Sequence, residues 1–149
     1  MAVAVAHIMN TNVYFASLND TIDHVRELMA TKRIHAVPII GKNRKLLGIV
    51  TTADLARKLD GTEPVRHVMC EMVATIAATA SVGQAARRMR ERHIHHLVVS
   101  DQGKAVGIVS SYDLLRLFEL MPPDAKSAQP AAVVDNSVDS AAHKERAQA

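Results

Sequence analysis

One stretch occurs twice in this chain, and no other feature limits the fold as strongly. Gly48-Ile49-Val50-Thr51-Thr52-Ala53-Asp54-Leu55 returns as Gly107-Ile108-Val109-Ser110-Ser111-Tyr112-Asp113-Leu114. Each copy reads as an apolar β-branched strand that turns into a helix. A hydroxyl residue stands at the turn, with Asp three places on. The surrounding sequence repeats as well, at an offset of about 60: His7-Ile8-Met9 with His67-Val68-Met69, Thr21-Ile22 with Ser81-Val82, Met29 with Met89, and Ile34-His35 with Ile94-His95. A match this long marks one supersecondary unit used twice. Two copies are too few for a solenoid, so they are expected to pack face to face about a pseudo-two-fold axis, each covering the other's apolar surface.

The order of elements is the same in both copies. A short strand is expected over 13–16 and 73–77, followed by a helix. Ile22, Val25, Leu28 and Met29 recur at helical spacing behind Thr21 or Asp20 as N-cap, and Val82, Ala85, Ala86 and Met89 do so behind Ser81, where Ser81-x-x-Gln84 is a capping box. Two strands follow, over 36–40 and 45–51 and again over 96–100 and 104–110, joined by the turn-rich Gly41-Lys42-Asn43-Arg44 and Asp101-Gln102-Gly103. A last helix is expected over 52–59 and 111–120. The unit is β-α-β-β-α, and the fold class is α/β (α+β). Pro38 has no N–H to donate, so its strand should be unpaired on that side. The polar run Asp60-Gly61-Thr62-Glu63-Pro64 separates the halves, residues 1–60 and 61–121. From Pro122 to Ala149 the composition turns to Ala, Pro, Ser and Asp, which reads as a tail outside the core, with 140–148 as a candidate short helix.

Composition sets limits on function. Hydrophobic residues make up 48% of the 149 and aromatics only 3%, with no Trp, so the core must be built from Val, Ile, Leu, Met and Ala. That leaves no aromatic platform for single-stranded nucleic acid. The formal charge of +3 is spread along the chain rather than massed, which gives nucleic-acid binding little support and suits an anion-binding cleft equally well. A single cysteine, Cys70, rules out an internal disulfide framework and fits a reducing compartment. It is expected to be a buried or half-buried small apolar residue. No apolar run has the length of a membrane span, and the short apolar start lacks the basic region of a signal peptide, so a cytoplasmic location is expected.

Two β-α-β-β-α units, each carrying Gly-Ile-Val-[Thr/Ser]-x-x-Asp-Leu, resemble a pair of cystathionine β-synthase (CBS) domains, a Bateman module. Met9 and Met69 near the start of each unit, the Ile-His before the second strand, and Ala36-Val37-Pro38-Ile39 belong to the same resemblance, which covers about residues 6–120. It implies a non-enzymatic sensor that binds an adenine nucleotide or adenosyl ligand between the units: AMP, ADP, ATP, S-adenosylmethionine or, in some members, NAD or cyclic dinucleotides. It also implies a homodimer and an effector protein that reads the bound state. No membrane or nucleic-acid partner is implied. In the family the corner Asp accepts hydrogen bonds from both ribose hydroxyls, which is sound chemistry because a carboxylate offers two acceptors to a cis-diol. That role carries over to Asp54 and Asp113, with the hydroxyls of Thr51 and Ser110 as ribose or phosphate contacts. The free N–H groups of the adjoining helix start suit a phosphate. Adenine would lie against Val13, Val37 and Pro38 in one half and Val73, Leu97 and Val98 in the other. Arg57, Lys58 and Arg116 are candidates for phosphate charge. Val98 stands where the first copy has Pro38, so the two sites are expected to be inequivalent.

Other readings attach to the same residues. A hydroxyl three places before an acid is also a capping box, and Thr51-Asp54 and Ser110-Asp113 could simply start helices. The alternative function for this chain is a dimeric interaction scaffold whose pockets are vestigial. His93-x-His95-His96 could offer imidazoles to a transition metal, but no carboxylate or Cys triplet accompanies it and the segment passes from helix to strand, so no metal is assigned. Met9, Met29, Met69 and Met89 occupy matching repeat positions and are expected in the core. No acid–base pair, phosphate loop or partnered nucleophile is present to make an enzyme.

Overall fold

The computed structural model describes residues 2–123. The tail beyond Pro123, with its candidate helix over 140–148, lies outside them. The described elements run α1 (Ile22–Lys32), β1 (Ala36–Ile40), β2 (Leu46–Thr51), α2 (Thr52–Leu55), β3 (Thr75–Ala77), α3 (Val82–Arg92), β4 (His96–Asp101), β5 (Lys104–Ser110) and α4 (Ser111–Glu119). β1 pairs antiparallel with β2, while β3, β4 and β5 form a three-stranded sheet with β3 parallel to β4.

Each helix begins where its capping chemistry lies. Thr21 Oγ1 accepts from His24 N at 3.1 Å, and Ser81 and Gln84 close a reciprocal capping box. Both long helices end on a left-handed residue, Arg33 (φ 53°) and His93 (φ 52°), after which Ile34 N and Ile94 N return to the carbonyls of Met29 and Met89. Gln102 and Gly103, both at positive φ, form the two-residue hairpin between β4 and β5.

Two expected elements differ from the sequence reading, each for a reason in the chain. Over 13–16 there is no strand, only an isolated bridge from Ala16 to Ile39. In the second half the β3 segment is joined further by Val98 N donating to Ala74 O at 3.1 Å. Pro38 stands at the matching place and has no N–H to give, so the pairing is shorter there. The helix expected over 52–59 ends at Leu55. Arg26 donates from Nη2 to the carbonyls of Leu55 at 3.1 Å and Arg57 at 3.4 Å, satisfying groups a continuing helix would have used. The second half has Ala86 at that place and α4 runs on to Glu119.

The core is two matching clusters. Ala16, Val25, Met29, Val37, Ile39 and Val50 form one, and Ile76, Ala85, Met89, Leu97, Val99 and Val109 the other. Each is completed by the other half's lead-in segment. Val65, fully buried, closes the first cluster, and Val5, fully buried, closes the second. Backbone bonds fix the exchange, with Val65 N donating to Asp20 O at 2.7 Å and Val5 N to Ala80 O at 2.8 Å. The halves expected at 1–60 and 61–121 thus trade their first turns.

The motif glycines lie where those segments cross the sheets. A Cβ on Gly48 would stand 2.6 Å from Met69 Sδ, and one on Gly107 2.7 Å from Met9 Sδ. Met29 and Met89 are buried, while Met9 and Met69 are partly buried against the second and first clusters respectively. Beside the glycines, Ile49 and Cys70 exchange two backbone bonds of 2.9 Å, and Asn10 and Ile108 exchange bonds of 2.8 and 3.0 Å.

Candidate functional site

The repeated corners are built alike. In each, the strand ends on the hydroxyl residue and the helix starts at the next. Asp54 Oδ2 accepts from Thr51 N at 2.8 Å and Thr51 Oγ1 at 3.0 Å. Asp113 Oδ2 accepts from Ser110 N at 2.8 Å and Ser110 Oγ at 2.9 Å. The capping geometry is therefore present at both corners, and all four of these bonds fall on Oδ2. Capping orients each carboxylate and leaves Oδ1 outside those bonds. The helix start is pinned from behind as well. Thr52 N donates to the backbone carbonyl of His35 at 3.0 Å and Ser111 N to that of His95 at 2.9 Å, which ties the residue before each strand to the helix start.

Each corner opens into a cleft assembled from both halves. The first, about 320 Å³, sets Thr51 and Asp54 against Cys70, Met72, His93 and His95. The second, about 450 Å³, sets Ser110 and Asp113 against Asn10, Arg33, Tyr112 and Arg116. Both volumes fall within the usual range for small-molecule sites. His35 and His96 line both clefts and form a shared wall. His96 is held below the ordinary imidazole range, first because burial withdraws it from water and then because His35 and His95 stand near, while Asp113 opposes the shift. Among the described residues no group of three or more His, Cys, Asp or Glu is placed to hold a metal ion.

The CBS domain family model matches twice, over residues 5–61 and 65–120. The chain belongs to the CBS domain family. A curated relative, the CBS domain-containing protein YhcV of Bacillus subtilis, is 31% identical over 116 residues, covering 74% of this chain and 82% of YhcV. Homoserine O-acetyltransferase of Methanosphaerula palustris is 31% identical over 115 residues, covering 76% of this chain but 24% of that enzyme. The chain spans between 24% and 42% of the length of the first three curated relatives it matches. Among solved structures, the CBS domain pair of protein MJ0100, in complex with 5′-methylthioadenosine and S-adenosyl-L-methionine, superposes with a TM-score of 0.76 at 28% identity over 80% of this chain and 98% of that one.

The expected site residues divide by position in this CBS pair. Thr51 and Asp54 share the first cleft, and Ser110, Asp113 and Arg116 the second. Val37, Pro38, Leu97 and Val98 are fully buried and line neither cleft. Strand alternation puts Val37 and Leu97 among the helix-packed clusters, and Pro38 and Val98 on the opposite sheet face, paired with Ile49 and Ile108. Val13 and Val73 are half-buried outside the clefts, and Arg57 and Lys58 are exposed outside them. Cys70, expected to be at least half-buried, is exposed at the mouth of the first cleft. Its backbone is committed to Ile49, which brings the side chain to the rim. Sequence reasoning missed Asn10, Arg33, Cys70 and Met72 as lining residues, because it placed the ligand between the units but took the adenine contacts at each corner from that corner's own half. The signal available was the pairing of Cys70 with Asn10 and of His93 with Arg33 at matching repeat positions.

Among the described residues no helix is long and apolar enough to cross a membrane.

Proposed function

We propose that this CBS pair is a non-enzymatic regulatory module. It binds an adenosyl ligand (AMP, ADP, ATP or S-adenosylmethionine) at the Asp54 and Asp113 corners and passes occupancy to a partner protein by altering the packing of its two halves. The carrying observation is that each hydroxyl–Asp corner faces a cleft whose opposite wall comes from the other half. A bound ligand therefore touches both halves at once, and its differential affinity for their arrangements is what shifts them. In this reading the capped carboxylate accepts the ribose hydroxyls, and Thr51 and Ser110 hold the corner in place. Pro38 and Val98 pair with Ile49 and Ile108, which line the clefts, and so back their apolar walls, whereas Val13, Val37, Val73 and Leu97 lie outside them. The complex of MJ0100 with adenosyl compounds, at 28% identity, supports the ligand class.

Calorimetric titration of ligand-stripped protein with AMP, ATP, S-adenosylmethionine and 5′-methylthioadenosine tests it. Binding to at least one, lost in Asp54→Ala or Asp113→Ala, is the expected result. At a hundredfold its dissociation constant the ligand stabilises the fold by about 2.7 kcal/mol, which thermal unfolding reads. No heat and no shift with any of them removes the proposal.

The second reading is a dimeric scaffold with vestigial pockets. The observation favouring it is the apolar exposure of α4, where Tyr112, Leu115 and Phe118 are 67%, 63% and 50% accessible. It predicts a dimer and a partner contact that survive both Asp→Ala substitutions, with nucleotide making no difference.

A further inference from the structure

We infer, resting on the ligand class just proposed, that the two clefts are sorted by ligand charge. The Asp113 cleft takes a phosphorylated adenosine, and the Asp54 cleft takes an adenosyl compound without phosphate.

The clefts are related by the repeat, so position-by-position differences between them are informative. The left-handed residue that ends each long helix lines the cleft of the opposite half's corner. It is Arg33 in the Asp113 cleft and His93 in the Asp54 cleft. Three residues after each corner Asp there is again an arginine. Arg116 lies on the continuous helix α4 and lines the Asp113 cleft. Its counterpart Arg57 falls beyond the end of α2, where Arg26 holds the backbone carbonyls of Leu55 and Arg57, and it does not line the Asp54 cleft. At the rim, Asn10 of one cleft matches Cys70 of the other, and the highly exposed Met72 adds a thioether beside Cys70.

These differences all run in one direction. Counting formal charges with histidines neutral, the residues lining the Asp113 cleft include two arginines and one aspartate, a formal charge of +1. The Asp54 cleft has one carboxylate and no Lys or Arg, a formal charge of −1. A phosphate monoester carries about −1.5 to −2 at pH 7 and is recognised by the planar fork of arginine. In the Asp54 cleft it would meet a carboxylate with no fixed cation to offset it. A neutral thioether or a cationic sulfonium on the 5′ carbon meets no such repulsion there, and Met72 and Cys70 give it a soft apolar rim.

The test is calorimetry on ligand-stripped full-length protein with AMP and with 5′-methylthioadenosine. Arg33→Gln and Arg116→Gln, both at exposed positions, should each weaken AMP by about tenfold or more and leave 5′-methylthioadenosine within about twofold. Asp113→Ala should remove AMP binding, and Asp54→Ala should remove 5′-methylthioadenosine binding. His93→Arg should gain a second AMP equivalent, a result that misfolding cannot imitate. AMP affinity indifferent to both arginines, or lost in Asp54→Ala rather than Asp113→Ala, overturns the charge sorting while leaving the adenosyl reading intact. Absence of heat from both compounds overturns the adenosyl reading itself, and the sorting with it.

Discussion

Adding a single methyl at Gly48 tests the crossing that builds the first cleft. In Gly48→Ala the new Cβ would lie 2.6 Å from Met69 Sδ and 3.0 Å from Cys70 O. Ordinary contact begins near 3.4 Å, so the thioether must retreat by at least 0.8 Å and the carbonyl by at least 0.4 Å. Met69 can change rotamer, but the Cys70 carbonyl is held by Ile49 N at 2.9 Å and has nowhere to go without breaking the two-bond bridge. Overpacking of this kind costs about 1–3 kcal/mol, offset by the roughly 0.5–1 kcal/mol that alanine gains over glycine within a strand. The expected net loss is about 0.5–2 kcal/mol, or roughly 2–8 °C in midpoint for a folded unit of this size. Urea and thermal unfolding of Gly48→Ala, Met69→Ala and the double variant measure it. In the Met69→Ala background the methyl should cost distinctly less, with a coupling of about 0.5 kcal/mol or more. Ile49 and Cys70 both line the Asp54 cleft, so ligand affinity there should fall while the Asp113 cleft is unaffected. A loss below about 0.5 kcal/mol, or one of the same size with Met69 present and absent, would refute the close-approach account.

Three further outcomes are expected. Asp54→Ala and Asp113→Ala should each lower ligand-free stability by about 1 kcal/mol, since each carboxylate also caps a helix; unfolding without ligand checks this, and unchanged stability would mean the corner bonds carry no weight. Arg26→Ala should cost about 0.5–1.5 kcal/mol because the carbonyls of Leu55 and Arg57 lose their donor, seen as a lower urea midpoint that Arg26→Lys only partly restores. Stability should fall with acid: His96 binds its proton near pH 6.5 when unfolded but only at lower pH when folded, so between those values the unfolded chain holds more protons and the native state loses ground as pH falls. His96→Gln should flatten the urea midpoint between pH 7.5 and 5.5, and an unchanged slope would assign it to other groups.

The repeat made the fold legible. Once Gly48–Leu55 and Gly107–Leu114 were aligned, strand limits such as Ala36–Ile40 and Lys104–Ser110 followed from apolar runs between turn residues, and both long helices from their caps. Features set by contacts distant in sequence were not legible. The stop at Leu55 depends on Arg26, 29 residues earlier, where the sequence shows only a helix-surface arginine. The missing strand over 13–16 depends on Pro38; the proline was visible, but its consequence for a neighbouring segment needed the pairing. The corners were legible as chemistry and their opposite walls were not. Which half supplies Arg33 or His93 to which corner is set by how the two halves pack and exchange their lead-in segments, and periodicity carries no record of that packing.

The same exchange bears on how a bound ligand could be felt elsewhere in the molecule. Had each corner faced a wall from its own half, occupancy would stiffen one unit and leave the other alone. Instead each cleft joins a corner of one half to the helix end of the other, and His35 and His96 belong to both clefts. On the proposed reading, a charge brought into the Asp113 cleft acts on the two imidazoles that also border the Asp54 cleft. Any change in affinity this produces there is returned equally in the other direction, because coupling between binding sites is reciprocal. On that reading the shared wall is where coupling would act, and His96→Gln tests it: with Asp54, Asp113, Arg33 and Arg116 in place, the affinity of each cleft is measured with the other empty and filled, and coupling through this wall predicts that the difference between the two shrinks in the variant.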